Sequence, residues 1–226
     1  LIEAPSLEQF RTPRGRAASL YTRPGTNDHN TLYSCLDGDE YGLANLDLGD
    51  AVALDIGAYT GGVTIALALD NPDAHILAVE ALSANVEVLR LNLEANEVTD
   101  RVTVIHGAAA EASGRQAKVH WNFSDTESGQ HHRFVGNAQW PGDIGVSEKV
   151  RTWSLGDLPS DIAFAKIDCE MCEYGVFKHR DVARLAVIVG EYHGGIDRLI
   201  ELLDATHVVT QTGGYETTGA FRAVRR

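Results

Sequence analysis

The chain has 226 residues, 44% of them apolar and 23% charged, the balance of a folded protein long enough for one large core. Its formal net charge is −13, with 19 basic residues against 32 acidic ones, which argues against nucleic acid as a partner because phosphate backbones need clustered Lys and Arg. No apolar run reaches the length of a membrane-spanning helix. Three cysteines make no disulfide framework, so a reducing, cytoplasmic compartment is expected.

Residues 1–48 carry Pro and Gly punctuation and are expected to form a cap or short helices. The opening Leu1-Ile2-Glu3-Ala4-Pro5 lacks the basic and apolar regions of a signal peptide. Arg11, Arg14, Arg16 and Arg23 lie close together and read as a solvated surface or a clamp on a small anion.

From residue 51 a different rhythm begins. Ala51 to Ile56 is an apolar run that stops at glycines, and Thr60 to Leu69 reads as a helix ended by Asp70-Asn71-Pro72. His75 to Glu80 is a second strand. Ser83 can cap the next helix, whose Val86, Leu89 and Leu93 recur at helical spacing. Val102 to His106, Ile162 to Asp168 and Leu185 to Tyr192 are further strands, with a helical stretch over Cys172 to Lys178. Strands apolar throughout, alternating with helices, predict an α/β fold with a doubly wound, mostly parallel sheet covered on both faces.

Residues 112–150 break the rhythm. They are polar and Gly-rich, with Trp121, Phe123, Phe134 and Trp140 interspersed. Val119 to Phe123 is expected to be extended and to pair with Val146 to Trp153. A long insertion of this kind is commonly functional, and His131, His132 and Trp140 are expected to shape an acceptor pocket. At the C-terminus, His207 to Gln211 and Ala220 to Val224 flank Gly213-Gly214 and read as an antiparallel hairpin. The whole chain, 1–226, is expected to be a single domain.

The chemistry begins at Asp55-Ile56-Gly57-Ala58-Tyr59-Thr60-Gly61-Gly62. A glycine turn between strand and helix lets backbone approach a ligand closely. Dinucleotide sites need G-x-G-x-x-G for a pyrophosphate, whereas here a carboxylate precedes the glycines and position 59 is Tyr. That carboxylate would repel a pyrophosphate and suits a ligand with cationic groups. S-adenosylmethionine carries an ammonium and a sulfonium and no phosphate. Glu80 ends the second strand, where a carboxylate can accept both ribose hydroxyls. After the third strand, His106-Gly107-Ala108-Ala109-Ala110 leaves room for a flat adenine.

A second acidic cluster closes the strand Ile162–Asp168, as Lys166-Ile167-Asp168-Cys169-Glu170-Met171-Cys172-Glu173. Cys169 and Cys172 form a C-x-x-C pair. Redox use is disfavoured because the flanking carboxylates raise a thiol pKa, and zinc use because four ligands are lacking. Buried packing is the expectation. His193, at the end of the next strand, should emerge on the same rim as Asp168 and Glu170.

In their order, these residues resemble the FkbM-type methyltransferases, a branch of the class I S-adenosylmethionine-dependent fold. The matching pieces are Arg23-Pro24-Gly25-Thr26-Asn27-Asp28, Gly38-Asp39-Glu40-Tyr41, Asp55 to Thr60, Glu80 with the Asn85/Asn92/Asn96 helix, Lys166 to Glu173, and Glu191-Tyr192-His193. Two positions depart from the family's pattern: Tyr59 replaces Asn, and Met171 replaces Gly. The resemblance implies O-methylation of a hydroxyl on a sugar, polyketide or other secondary metabolite. It places the cofactor at Asp28, Asp55, Gly57, Ala58, Tyr59, Thr60, Glu80, Ala81, Gly107 and Ala108. The catalytic assignment is His193 as base, with Asp168 and Glu170 orienting it or the acceptor.

The metal-free version is favoured over a Mg²⁺ site of Asp168, Glu170 and Glu173, because one short acidic run gives poor octahedral geometry. A nicotinamide-dependent oxidoreductase and a non-catalytic interaction protein of degenerate fold stand as rivals. A homodimer through the hairpin or the N-terminal arm is an open expectation.

Overall fold

The computed structural model describes residues 4–121, 133–134, 146–170 and 172–226. The expectations placed on Phe123, His131, His132, Trp140 and Met171 lie outside these residues.

The N-terminal region, expected to form a cap or short helices, starts with a hairpin of β1 (Ser6–Arg11) and β2 (Ala17–Thr22), followed by the short helix α1 (Asp28–Cys35). Its Pro and Gly residues fall in the connections. The arginines of this region are held in place. Arg14 donates to the carbonyls of Ala44 and Asp70, and Arg23 pairs with the buried Asp28 at 2.9 Å.

The central layer then builds through β3 (Val52–Ile56), α2 (Gly62–Asp70), β4 (His75–Glu80), α3 (Ser83–Ala95) and β5 (Val102–His106). β6 (Ala108–Ala109), β7 (Gln116–Trp121), β8 (Arg133–Phe134) and β9 (Val146–Trp153) form a separate sheet in the order β6-β9-β7-β8. Within it β7 and β9 pair antiparallel, as the sequence suggested. The chain returns through β10 (Ile162–Ile167), α4 (Glu173–Phe177), β11 (Val187–His193) and α5 (Ile196–Leu203), and ends in the antiparallel hairpin β12 (His207–Gly214) and β13 (Thr218–Arg225).

The main sheet has seven strands in the order β12-β13-β11-β10-β3-β4-β5, with β11, β10, β3, β4 and β5 parallel. Period-two alternation explains why these strands are apolar throughout. Ala53, Ile76 and Ala78 face one core with Leu32, Leu67 and Leu89, whereas Leu54, Leu77 and Val79 face the other with Phe177 and Leu199. Both faces are covered, so neither register can be polar.

The chain runs outward from β3 to β5 and then crosses to β10 on the other side of β3. This reversal opens a crevice at the C-terminal ends of β3 and β10, the switch point where open α/β sheets bind ligands.

Asn92 of α3 and Asn96 just after it tie the N-terminal hairpin to this part of the fold. Asn92 accepts from the Tyr21 amide at 2.6 Å and donates to the Thr60 carbonyl at 2.7 Å. Asn96 brackets Ser19 through its amide and carbonyl. The expected Ser83 cap does not form. Ser83 is the first residue of α3, and its amide and hydroxyl both donate to Glu148 of β9, so a carboxylate from another sheet serves the helix N-terminus. Among the described residues no helix is long and apolar enough to cross a membrane.

Candidate active site

β3 ends at Gly57, where the backbone turns with φ of +75°. A Cβ there would lie 1.7 Å from the Asp168 carbonyl oxygen, so only glycine lets β3 and β10 close at their ends. Tyr59, two residues on, also sits in the left-handed region at φ +52°. Asn tolerates that conformation better than Tyr, and the structure shows what holds Tyr59 there. Its amide donates to Glu80 Oε2 at 2.8 Å, and its hydroxyl donates to Asp28. Its ring lies 5.5 Å from the Arg23 guanidinium. Burial would raise the Asp28 carboxyl, but its bonds and charge contact with Arg23 bring it below the ordinary carboxylate value.

Glu80 is itself preorganised. Besides Tyr59 it accepts from the Leu82 amide at 2.9 Å and from Asn85 Nδ2 at 3.1 Å, both on Oε1. It stands on the wall of a cavity of about 520 Å³. The same wall carries Gly57, Ala58, Tyr59, Ala81, Gly107 and Ala108. Asp168, Glu170 and His193 line the same cavity.

Three of the expected cofactor residues do not line this cavity: Asp28, Asp55 and Thr60. All three are fully buried, and they support the wall from behind. Asp55 accepts from Thr64 at 2.6 Å and lies 3.4 Å from the Lys166 ammonium. The carboxylate expected to meet a cationic ligand therefore meets a lysine. Lys166 lines the cavity in its place and donates to the Gly57 carbonyl at 2.7 Å. Burial works against its charge, yet Asp55 and Asp168 more than compensate and hold its pKa above the ordinary lysine value.

Around the second acidic cluster, Tyr41 donates to Asp168 Oδ2 at 2.9 Å. His193 Nδ1 is 2.9 Å from Glu173 Oε1, and its Nε2 is 3.4 Å from Glu170 Oε2 and 3.7 Å from Glu191 Oε2. Burial and the Asp168 charge push Glu170 up to about 8. Burial, Asp168 and Glu40 push Glu191 to about 7. For His193, burial is outweighed by the Glu173 hydrogen bond and the surrounding carboxylates, and its pKa rises to about 9. At neutral pH the imidazole of this arrangement carries a proton on both nitrogens.

Sequence reasoning did not assign roles to Tyr41, Lys166, Glu173 and Glu191, although all four lie in runs that carried the resemblance. A lysine inside an otherwise apolar strand was the available signal, because lysine is almost never fully buried without a partner.

The cysteines correct another expectation. Cys169 and Cys172 are joined in a disulfide, with Cα atoms 5.4 Å apart. Glu170 between them adopts a left-handed turn at φ +53°, which folds the chain back far enough for the bond. Cys35 is free and buried.

These residues fit S-adenosylmethionine. The glycine cradle at Gly57 admits close backbone contact, Glu80 Oε2 keeps acceptor capacity for a ribose hydroxyl beside the Tyr59 amide, and the carboxylates lining the cavity suit a sulfonium and an ammonium. The sheet order and the cavity define the chain as a class I S-adenosylmethionine-dependent methyltransferase. The profile of the methyltransferase FkbM domain matches residues 55–215; the chain belongs to this family.

One solved structure agrees on the fold. An rRNA-methylase candidate from Clostridium thermocellum superposes with a TM-score of 0.53 at 11% identity, over 83% of this chain and 94% of its own. The precorrin-6y C5,15-methyltransferase of Geobacter metallireducens gives 0.49 at 18% identity, over 84% and 97%. No curated protein matches the chain significantly.

Proposed function

We propose that this methyltransferase modifies a hydroxyl oxygen of a small-molecule acceptor. One observation carries the reading: a single cavity joins the Glu80 and Ala108 wall to the Asp168, Glu170 and His193 rim. S-adenosylmethionine, when bound, supplies an electrophilic methyl group on sulfur. The chain's own residues do the rest. Glu80 holds the ribose end, and Gly107 and Ala108 leave space for the adenine.

Methyl transfer is an in-line displacement, so most of its acceleration comes from alignment and the exclusion of water. Asp168, fixed by Tyr41, and Glu170 orient the acceptor hydroxyl or the base. With Nδ1 engaged by Glu173, His193 takes the acceptor proton through Nε2. It does so from its neutral form, whose share grows as the pH rises toward about 9.

The test has two stages. Calorimetry with S-adenosylhomocysteine reports cofactor binding, and no binding would favour a non-catalytic protein of the same fold. Isotopically methyl-labelled S-adenosylmethionine, incubated with hydroxylated and amine-bearing metabolites, then reports the acceptor by mass spectrometry and NMR. Label found on oxygen supports the proposal; label only on nitrogen or carbon overturns it.

A further inference from the structure

We propose that Asp168, Glu170 and His193 bind one divalent first-row transition-metal cation at the acceptor end of the cavity. This deepens the function proposed above and rests on its placement of the acceptor at that rim. A single short acidic run offers poor coordination geometry. The tertiary structure changes this by bringing in His193 from another strand. β10 and β11 pair in parallel with Ile167 opposite Gly190, so the residues just beyond both strands share one edge. One ligand atom from each of the three residues lies within 4.8 Å of the others. Adjacent ligand atoms on an octahedral cation bound at about 2.1 Å stand about 3.0 Å apart; His193 Nε2 and Glu170 Oε2 are already 3.4 Å apart, and the group has to close by at most about 1.8 Å.

The second observation is Glu173. It is fully buried, and its Oε2 has no hydrogen-bond partner, whereas its Oε1 takes His193 Nδ1 at 2.9 Å. A carboxylate behind an imidazole is the arrangement that orients a metal-ligating histidine. His193 Nε2 faces Glu170 at 3.4 Å and Glu191 at 3.7 Å, so a cation bound here takes the place of the proton that Nε2 otherwise carries between these carboxylates.

The donor set selects the ion. Two carboxylates and one imidazole suit manganese, iron, cobalt or zinc better than magnesium or calcium, which prefer oxygen alone. Three protein ligands leave positions open toward the cavity. A hydroxyl bound there would ionise more easily, and His193 would serve as a ligand, its role as base belonging to the cation-free chain.

The test uses the full chain after chelator treatment, with Mn²⁺ as the probe and the free-ion paramagnetic resonance signal as readout. The expected result is loss of one equivalent of free signal per chain. His193→Gln and Asp168→Asn should each weaken binding by more than about tenfold, and Glu173→Gln by about tenfold. Glu170→Gln replaces either ligand variant whose circular dichroism shows it unfolded. An unchanged free-ion signal with the natural chain, or folded variants that bind like it, overturns the site. Calorimetry with S-adenosylhomocysteine on the same samples separates the two claims. Cofactor binding without Mn²⁺ binding removes the cation alone, whereas Mn²⁺ binding without cofactor binding removes the methyltransferase reading.

Discussion

The Tyr59 amide donates to the Glu80 carboxylate at 2.8 Å, which fastens the glycine loop after β3 to the end of β4. Glu80 thus does two things at once, shaping the loop and presenting acceptors to the cavity. Glu80→Ala would strand three donors, on Tyr59, Leu82 and Asn85. Each unsatisfied buried donor costs about 1–3 kcal/mol. We expect a loss of about 3 kcal/mol or more in urea unfolding, and S-adenosylhomocysteine affinity reduced by more than about tenfold in calorimetry.

Gly57 and Gly114 share a φ of +75° but differ in surroundings. A methyl group at Gly114 meets nothing within 4 Å, whereas at Gly57 it meets the Asp168 carbonyl at 1.7 Å. Gly114→Ala should cost about 1–2 kcal/mol from backbone strain alone. Gly57→Ala should leave no stably folded chain, or one weakened by more than about 4 kcal/mol. Equal melting temperatures for the two variants would contradict the close approach of β3 and β10.

Asp28 sets a pH dependence. Its folded-state pKa lies below the ordinary 3.8 because Arg23 outweighs burial. A depressed carboxylate contributes stability that is complete above the unfolded value and is lost as pH falls through the folded one. Asp28→Asn should therefore lower stability by on the order of 3 kcal/mol at neutral pH. The gap from the natural chain should persist down to about pH 4 and shrink below it. Thermal unfolding of both proteins between pH 2 and 7 on the order of half-unit steps is the measurement; a gap constant across that range would contradict the pairing.

The Cys169–Cys172 bond can be checked by mass. Alkylation of the unfolded, unreduced chain should label Cys35 alone, and prior reduction should add two labels. The loop is short, so Cys172→Ser should cost no more than about 2 kcal/mol. Two further labels without reduction would show the thiols to be free.

Much of this molecule is legible in one dimension. The parallel strands announce themselves because a sheet buried on both faces favours apolar residues at successive positions, as in Ile76 to Val79 and Val187 to Val189. The glycine loop and Glu80 follow from local spacing along one β-loop-α-β unit, whereas the sequence argument that Asp55 itself selects S-adenosylmethionine over a dinucleotide does not survive the pairing of Asp55 with Lys166. What the linear sequence could not decide is which charges meet. Asp55 is spent on Lys166, a residue 111 positions away (166 − 55), and Asp28 on Arg23 and Tyr59, so neither reaches the cavity wall. His193 acquires its partners Glu170 and Glu173 only because β11 lies beside β10. Charge pairing acts over a few ångströms of space whatever the separation along the chain, and strand order sets those distances.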